Sequence, residues 1–117
     1  MAKKPEIPVE YDEYVVKMTL GAEKDLNEII EYIAENNPRT ALTIMEKIQK
    51  KIDSLDHFPY RGSFVPELLV KNIKDFRQIS EHPWKIYYKI VENKVYIMAI
   101  VDSRRNLKDI LMNKLLK

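Results

Sequence analysis

The chain has 117 residues, 45% hydrophobic and 32% charged, and a formal charge of +2 from 20 basic and 18 acidic side chains, which is the size and balance of a single globular domain with a small core. The absence of cysteine excludes disulfides, zinc fingers and thiol catalysis. The only histidines, His57 and His82, are too few for a multi-histidine metal site, and two glycines are too few for a Walker loop or a dinucleotide fingerprint, so no cofactor or metal is expected.

The charge is unevenly spread: residues 1–36 carry −5, residues 37–74 carry +3 and residues 75–117 carry +4. A basic C-terminal half points to an acidic or polyanionic partner. No apolar run approaches the roughly 20 residues that span a bilayer. The start, MAKKPEIPVEYDEY, lacks the apolar stretch of a signal peptide, so a cytoplasmic location and no membrane partner are expected. There are no internal repeats.

Residues 1–13, with two prolines and four acids, read as a flexible arm or an extended edge segment, leaving 14–117 as one domain. Tyr14 to Met18 is a short β-branched strand candidate. Thr19 can cap a helix over 20–36, in which Leu26, Ile29, Ile30 and Ile33 recur at helical spacing. Asn37 and Pro38 open a second helix, whose stripe of Ala41, Met45, Ile48, Ile52 and Leu55 runs to about Asp56. The short connection predicts an antiparallel helical hairpin. The segment HFPYRGSFVPELL reads as a loop. Phe76–Ser80 is a strand candidate. Trp84 to Val101 reads as two strands around the turn Glu92-Asn93-Lys94. In the first, Trp84, Ile86, Tyr88 and Ile90 face a core while Lys85, Tyr87 and Lys89 face away. The second is apolar on both faces, as a central strand covered on both sides would be. A two-residue turn sets Lys85, Tyr87 and Lys89 beside Tyr96, Met98, Ile100 and Asp102. Asn106 and Asp109 suggest a capping box for a short terminal helix. The order β-α-α-β-β-β-α, with helices and strands segregated, predicts an α+β fold: a helical hairpin packed on a small antiparallel sheet.

The candidate site is the cationic set Arg77, Lys85, Lys89, Arg104 and Arg105 around an exposed Tyr87. An antiparallel meander brings the start of one strand beside the end of the next, so these positions are expected to converge at one sheet end, where they suit phosphate binding. The plain alternative is a solvated strand face with a surface arginine pair. His57 and His82 read as turn or surface histidines, and Ser103 has neither a base nor an oxyanion hole in view. An apolar groove on the hairpin would suit a partner helix, although the same stripe is what packing on a sheet requires.

Four stretches carry a family resemblance: AEKDLNEIIEYIAENNPRTA, FPYRG, the run FRQIS–WKIYYKI–VYIMAIV, and DSRRNLKDIL. In order and spacing, over about residues 14–116, they resemble the RelE/ParE superfamily of toxins from type II toxin–antitoxin, or plasmid stabilisation, systems. The resemblance implies a growth inhibitor held in a hetero-oligomer by a cognate antitoxin. It also implies one of two targets: DNA gyrase for ParE-type members, or messenger RNA in the ribosomal A site for RelE-type endonucleases. RelE-type nucleases use basic residues on the first meander strand, an arginine early in the next, an arginine after the last strand and a tyrosine in the C-terminal segment. Arg77, Lys85 and Arg104 match the first three in charge and would be the catalytic set of a metal-independent ribonuclease. No tyrosine follows Tyr96. The missing acid–base partner favours ParE-like action on gyrase. The alternatives are RelE-like messenger RNA cleavage and a degenerate toxin fold that only binds its antitoxin. For either target, Arg77, Lys85, Tyr87, Lys89, Arg104 and Arg105 form the expected contact surface.

Overall fold

A computed structural model describes Tyr11 and residues 13–116; the expectation of an N-terminal arm lies almost entirely outside the described residues. Strand β1 (Val15–Met18) leads into helix α1 (Leu20–Ala34), followed by α2 (Pro38–Asp53) and two short 3-10 turns. Next come β2 (Ser63–Phe64), α3 (Pro66–Leu69), β3 (Arg77–Glu81), β4 (Trp84–Val91), β5 (Lys94–Asp102) and α4 (Leu107–Leu115). The five strands form one sheet in the order β1-β5-β4-β3-β2.

Both predicted caps form. Thr19 Oγ1 accepts from Ala22 N at 3.2 Å, and Asn37 Oδ1 accepts from Thr40 N at 3.0 Å, each satisfying an orphan donor of the first helical turn. Thr19 also donates its hydroxyl to Ile97 O at 2.9 Å, so one side chain fastens α1 to β5. At α4 the expected capping box is absent. The Asn106 amide donates to the Asp109 carboxylate at 2.9 Å and makes no side-chain bond to the helix backbone.

The sheet carries a core on each face. On one side α1 and α2 bring Ala22, Leu26, Ile48 and Ile52 onto Ile86, Tyr88, Val95, Ile97 and Ile100. On the other, α3 and α4 bring Leu68, Leu111 and Leu115 onto Tyr87, Ala99 and Val101. The two-faced apolarity of β5 is explained by this three-layer arrangement.

Three features depart from the sequence reading. β1 joins the sheet parallel to β5, so the sheet is mixed and the β3–β4–β5 meander is only part of it. The segment read as a loop contributes β2, α3 and a 3-10 turn; Pro66 at the first turn of α3 suits that position because its missing N–H would have no helical partner there. Finally, β5 carries a bulge. Tyr87 pairs with Ala99 but Tyr88 pairs with Ile97, leaving Met98 unopposed. An extra residue reverses the facing of all that follows. Ile100 and Asp102 therefore turn to the hairpin face, and Lys85 and Tyr87 lie beside Val101 and Ala99, away from Ile100 and Asp102.

Candidate functional site

The meander fixes where the candidate cations can meet. Arg77 opens β3 and lies opposite Tyr88 on β4, whereas Lys85 lies opposite Ser80 on β3 and Val101 on β5. Arg77 and Lys85 are thus separated by about 10 Å along the strands, on opposite faces of the sheet. Antiparallel neighbours bring the start of β4 to the end of β5, and the start of β3 to the end of β4. Lys85, Arg104 and Arg105 consequently share one sheet end, and Arg77 sits at the other. The expected convergence of all these cations does not occur.

Arg77 is occupied in its own place. Its Nη1 donates to Tyr60 O at 3.1 Å and Gly62 O at 2.7 Å. Its guanidinium lies over two rings, 4.4 Å from the Phe64 centroid and 5.2 Å from that of Tyr60. One guanidinium nitrogen and the stacked plane hold Tyr60, Gly62 and Phe64 against β3.

Tyr87, expected to be exposed, is fully buried. It stands on the face covered by α3 and α4, because the strand face read as solvent-facing is roofed by the terminal helix. Burial raises its phenol pKa well above the ordinary value, and the nearby Glu67 charge raises it further. Lys85 and Lys89 share this face and are half-buried.

At the end that holds Arg104 and Arg105, the structure opens a cleft of about 570 Å³. Ile29, Tyr32 and Ile33 of α1 form one wall. Trp84 and Ile100 form the floor, and Asp102, Arg104 and Arg105 form the rim, with Lys114 of α4 closing one side. The bulge places Ile100 and Asp102 here. Tyr32 is 73% exposed, so the cleft offers aromatic surface beside cationic groups. Arg104 is folded back on Asp102, with Nε to Oδ1 at 2.9 Å and Nη2 to Oδ2 at 2.6 Å. These hydrogen bonds hold the Asp102 carboxyl down at about 2. Arg105 is exposed and makes no ion pair among the described residues, which leaves its guanidinium available to a partner. Beneath the cleft, Lys114 Nζ donates to Asp25 Oδ1 at 2.6 Å and Ile100 N donates to Asp25 Oδ2 at 3.0 Å.

Trp84, Tyr32, Lys114 and Asp25 were missed as site residues. Trp84 fits the alternating core pattern, and no motif or spacing singles out the other three. A tryptophan opening a strand that follows His82-Pro83 was the one available signal for a sheet-end site. His57 is exposed and hydrogen-bonded to Asp56, Nδ1 to Oδ1 at 2.8 Å. His82 is exposed in the β3–β4 turn. Ser103 donates its backbone N–H to Pro83 O at 2.8 Å. Among the described residues, no group of three or more histidine, aspartate or glutamate side chains is placed to hold a metal ion, and no helix is long and apolar enough to cross a membrane.

Most of this chain matches known proteins in sequence pattern and fold. Residues 16–107 match the family model of the ParE toxin of the type II toxin–antitoxin system parDE. Among solved structures, the chain is similar to one from the chromosomal ParDE toxin–antitoxin system of P. aeruginosa. That match has a TM-score of 0.64 and 18% identity, and covers 79% of this chain and 98% of that one. It is also similar to one from the RelBE2 toxin–antitoxin complex of Mycobacterium tuberculosis, with a TM-score of 0.54 and 18% identity, covering 80% of this chain and 94% of that one. No curated protein sequence matches significantly. The family match covers most of the chain, and the chain belongs to the ParE toxin family of type II toxin–antitoxin systems.

Proposed function

We propose that this toxin arrests growth by binding DNA gyrase, and that a cognate antitoxin neutralises it by covering the same surface. The partnership with an antitoxin is supported by structural neighbours that come from the ParDE and RelBE2 toxin–antitoxin systems. The placement of Arg77 carries the choice of target. Metal-free RNA cleavage needs groups that activate the 2′-hydroxyl, steady the phosphorane and protonate the leaving oxygen within one constellation. Arg77 is held on two carbonyls at the far end of the sheet. Tyr87 is buried, and Arg104 is engaged by Asp102. Among the described residues Lys85 makes no side-chain hydrogen bond or ion pair to an acid–base partner. A surface that binds a protein needs no such convergence. The cleft between α1 and the end of the sheet, with Trp84, Tyr32 and Arg105, has the aromatic and arginine content of binding hot spots. Both proposed partners place the toxin in the cytoplasm.

The test is inducible expression in a bacterial host with DNA and protein synthesis followed separately by pulse labelling. Early loss of DNA synthesis with an SOS response is expected, and Arg105→Ala should weaken it. Translation arrest that precedes any DNA effect, with cleaved messages, would overturn the gyrase reading in favour of a ribosome-dependent endonuclease. Growth untouched by soluble protein would leave a toxin fold that only binds its antitoxin.

A further inference from the structure

The outer edge of β3 carries a notch. β2 pairs with β3 only through Phe64 opposite Arg77 and Ser63 opposite Gln78, and the chain before Ser63 leaves the sheet in the 3-10 turn Pro59–Arg61. On its inner edge, β3 sets Glu81 opposite Trp84 across a two-residue turn and Ile79 opposite Ile86. Residues that flank such a turn bond to each other, and the bonding alternates along the strand, so Gln78 and Ser80 present their main-chain groups to the outer edge. Gln78 O accordingly lies within 2.8 Å of where a Gly62 Cβ would stand. Ser80 lies beyond the end of β2 and has no strand partner on that side. The notch is a cavity of about 420 Å³, lined by Lys51 of α2, by Arg61, Gly62 and Ser63, and by residues 78–80 of β3.

The chemistry of this lining is one-sided. It holds two cations and no carboxylate. Lys51 makes no ion pair among the described residues. Arg61 is fixed by neutral oxygens: Nη1 donates to His57 O at 2.9 Å and Nη2 to Ser54 Oγ at 2.6 Å. These bonds orient the guanidinium without cancelling its charge, and they leave Nε–H and a second Nη2 hydrogen for another acceptor. The Ser63 and Ser80 hydroxyls make no hydrogen bond among the described residues. They stand on one face at diagonal strand positions, about 7–8 Å apart. Gln78 contributes main chain, since its side-chain oxygen is sealed from solvent. The acids nearest in sequence are engaged elsewhere: Asp53 accepts from Gln49 at 2.9 Å and Asp56 pairs with His57 at 2.8 Å. Glu81 points to the opposite face from Ser80 and lies outside the lining.

We propose that this notch binds a terminal phosphate group. Lys51 and Arg61 supply the charge, and the hydroxyls of Ser63 and Ser80 with the Ser80 main-chain N–H supply hydrogen bonds. Donors that reach in from a helix, a turn and two strands suit a tetrahedral anion with three free oxygens better than a planar carboxylate, which offers two. Two cations match the charge of about −1.5 to −2 that a phosphate monoester carries at neutral pH. The cavity is larger than a phosphate alone, so the group arrives on a larger molecule: a small phosphorylated compound or the 5′ end of a nucleic-acid strand. The notch shares no lining residue with the Trp84 cleft, and its ligand is independent of which target the toxin arrests.

The experiment follows the full chain by NMR during titration with sodium phosphate and with glycerol 3-phosphate, at neutral pH and constant ionic strength, with sodium acetate as the control. Saturable shifts are expected at the amides of Arg61, Gly62, Ser63 and Ser80. Lys51→Ala should weaken binding about tenfold, and Lys51→Arg should restore most of it. Ser80→Ala should weaken it severalfold. Lys108→Ala removes the same charge from an exposed position on α4, outside the notch, and should leave binding unchanged. Arg61 also braces the turn at residues 54–58, donating to Ser54 O and Phe58 O, so Lys51 is the position that isolates binding from folding. Shifts that do not saturate, that acetate matches, or that Lys108→Ala reduces as much as Lys51→Ala would overturn the proposal and leave only diffuse attraction of anions to a basic surface. A short single-stranded oligonucleotide, with and without a 5′ phosphate, separates the two sources. Tighter binding of the 5′-phosphorylated strand than of glycerol 3-phosphate assigns the site to nucleic-acid ends, and the reverse assigns it to a small phosphorylated compound.

Discussion

The Asp25 carboxylate accepts the backbone N–H of Ile100 at 3.0 Å, across the gap where β1 has ended and β5 continues. β1 pairs with β5 only as far as Ile97, so beyond that point the outer edge of β5 needs another acceptor. α1 supplies it. The other carboxylate oxygen takes the Lys114 ammonium of α4 at 2.6 Å. One buried side chain thus ties α1, β5 and α4 together beneath the cleft. Asp25→Ala should cost about 2–4 kcal/mol, because it strands both the amide and the ammonium. Asp25→Asn keeps an acceptor for Ile100 and should cost less. Urea unfolding of the two variants checks the order; equal losses would mean that the hydrogen bond to Ile100 contributes nothing.

Arg77 is expected to be a structural residue. Arg77→Ala removes two charge-assisted hydrogen bonds and two cation–π contacts, a loss of about 2–3 kcal/mol. For a domain of this size that is a fall in Tm of roughly 8–15 °C. Arg77→Lys should recover less than half of it, since an ammonium lacks the planar guanidinium that lies over the Phe64 and Tyr60 rings while its Nη1 holds both carbonyls. Arg105→Ala should stay within about 0.5 kcal/mol of the parent protein. Thermal unfolding beside a growth assay separates the roles. Arg77→Ala that lost toxicity at unchanged Tm would return Arg77 to the chemistry of the site.

Gly62 is fixed by its neighbours. A Cβ there would collide with the Tyr88 hydroxyl and come within 2.8 Å of Gln78 O. That hydroxyl is itself committed, donating to Pro59 O at 2.6 Å. Gly62→Ala should therefore cost about 3 kcal/mol, through overpacking and a displaced hydrogen bond. Tyr88→Phe alone should cost about 1 kcal/mol. In the double variant the penalty should be less than additive, because the deleted hydroxyl is what the new methyl meets; denaturant unfolding of all three gives the coupling.

Much of this architecture is legible in the sequence because apolar spacing carries it. Leu26, Ile48 and Ile52 mark the hairpin, and the two-faced apolarity of β5 announces a sheet covered on both sides. The bulge at Met98 left no trace, since no glycine or proline marks it within YIMAI, and a one-residue insertion in an all-apolar strand changes no pattern. Yet it decides which face receives Ile100 and Asp102, and so where the cleft forms. Asp25 lies outside the apolar spacing of α1 and nothing in the sequence singles it out; the end of β1 makes it a buried acceptor. Arg77 is similar. The carbonyls it holds belong to residues 60 and 62, in a segment that reads as a loop, and no spacing rule connects a strand arginine to them. Sequence periodicity reports burial along one element, whereas these site features arise where elements meet.

Two titrations should move in opposite directions. The hydrogen bond that His57 donates to the Asp56 carboxylate, and then the charge of that carboxylate, raise the His57 pKa above 6.5. The associated stabilisation is complete below pH 6.5 and fades as pH rises through the raised value. At Asp102 the hydrogen bonds from Arg104 lower the pKa from 3.8 to about 2. Its contribution is complete above the ordinary value and is lost as pH falls from about 4 towards 2. Both groups are exposed enough for solvent to keep the effects small, so the pKa values themselves are the better readout. In NMR titrations, Asp56→Asn should lower the His57 midpoint, and Arg104→Ala should raise Asp102 only part of the way to the usual carboxylate range, because the backbone N–H of residue 104 still donates to it, while leaving His57 unmoved. An Asp102 midpoint unchanged by Arg104→Ala would mean that the Arg104 fork is not closed on Asp102 in solution. The guanidinium at the rim of the cleft would then be free for a partner, alongside Arg105.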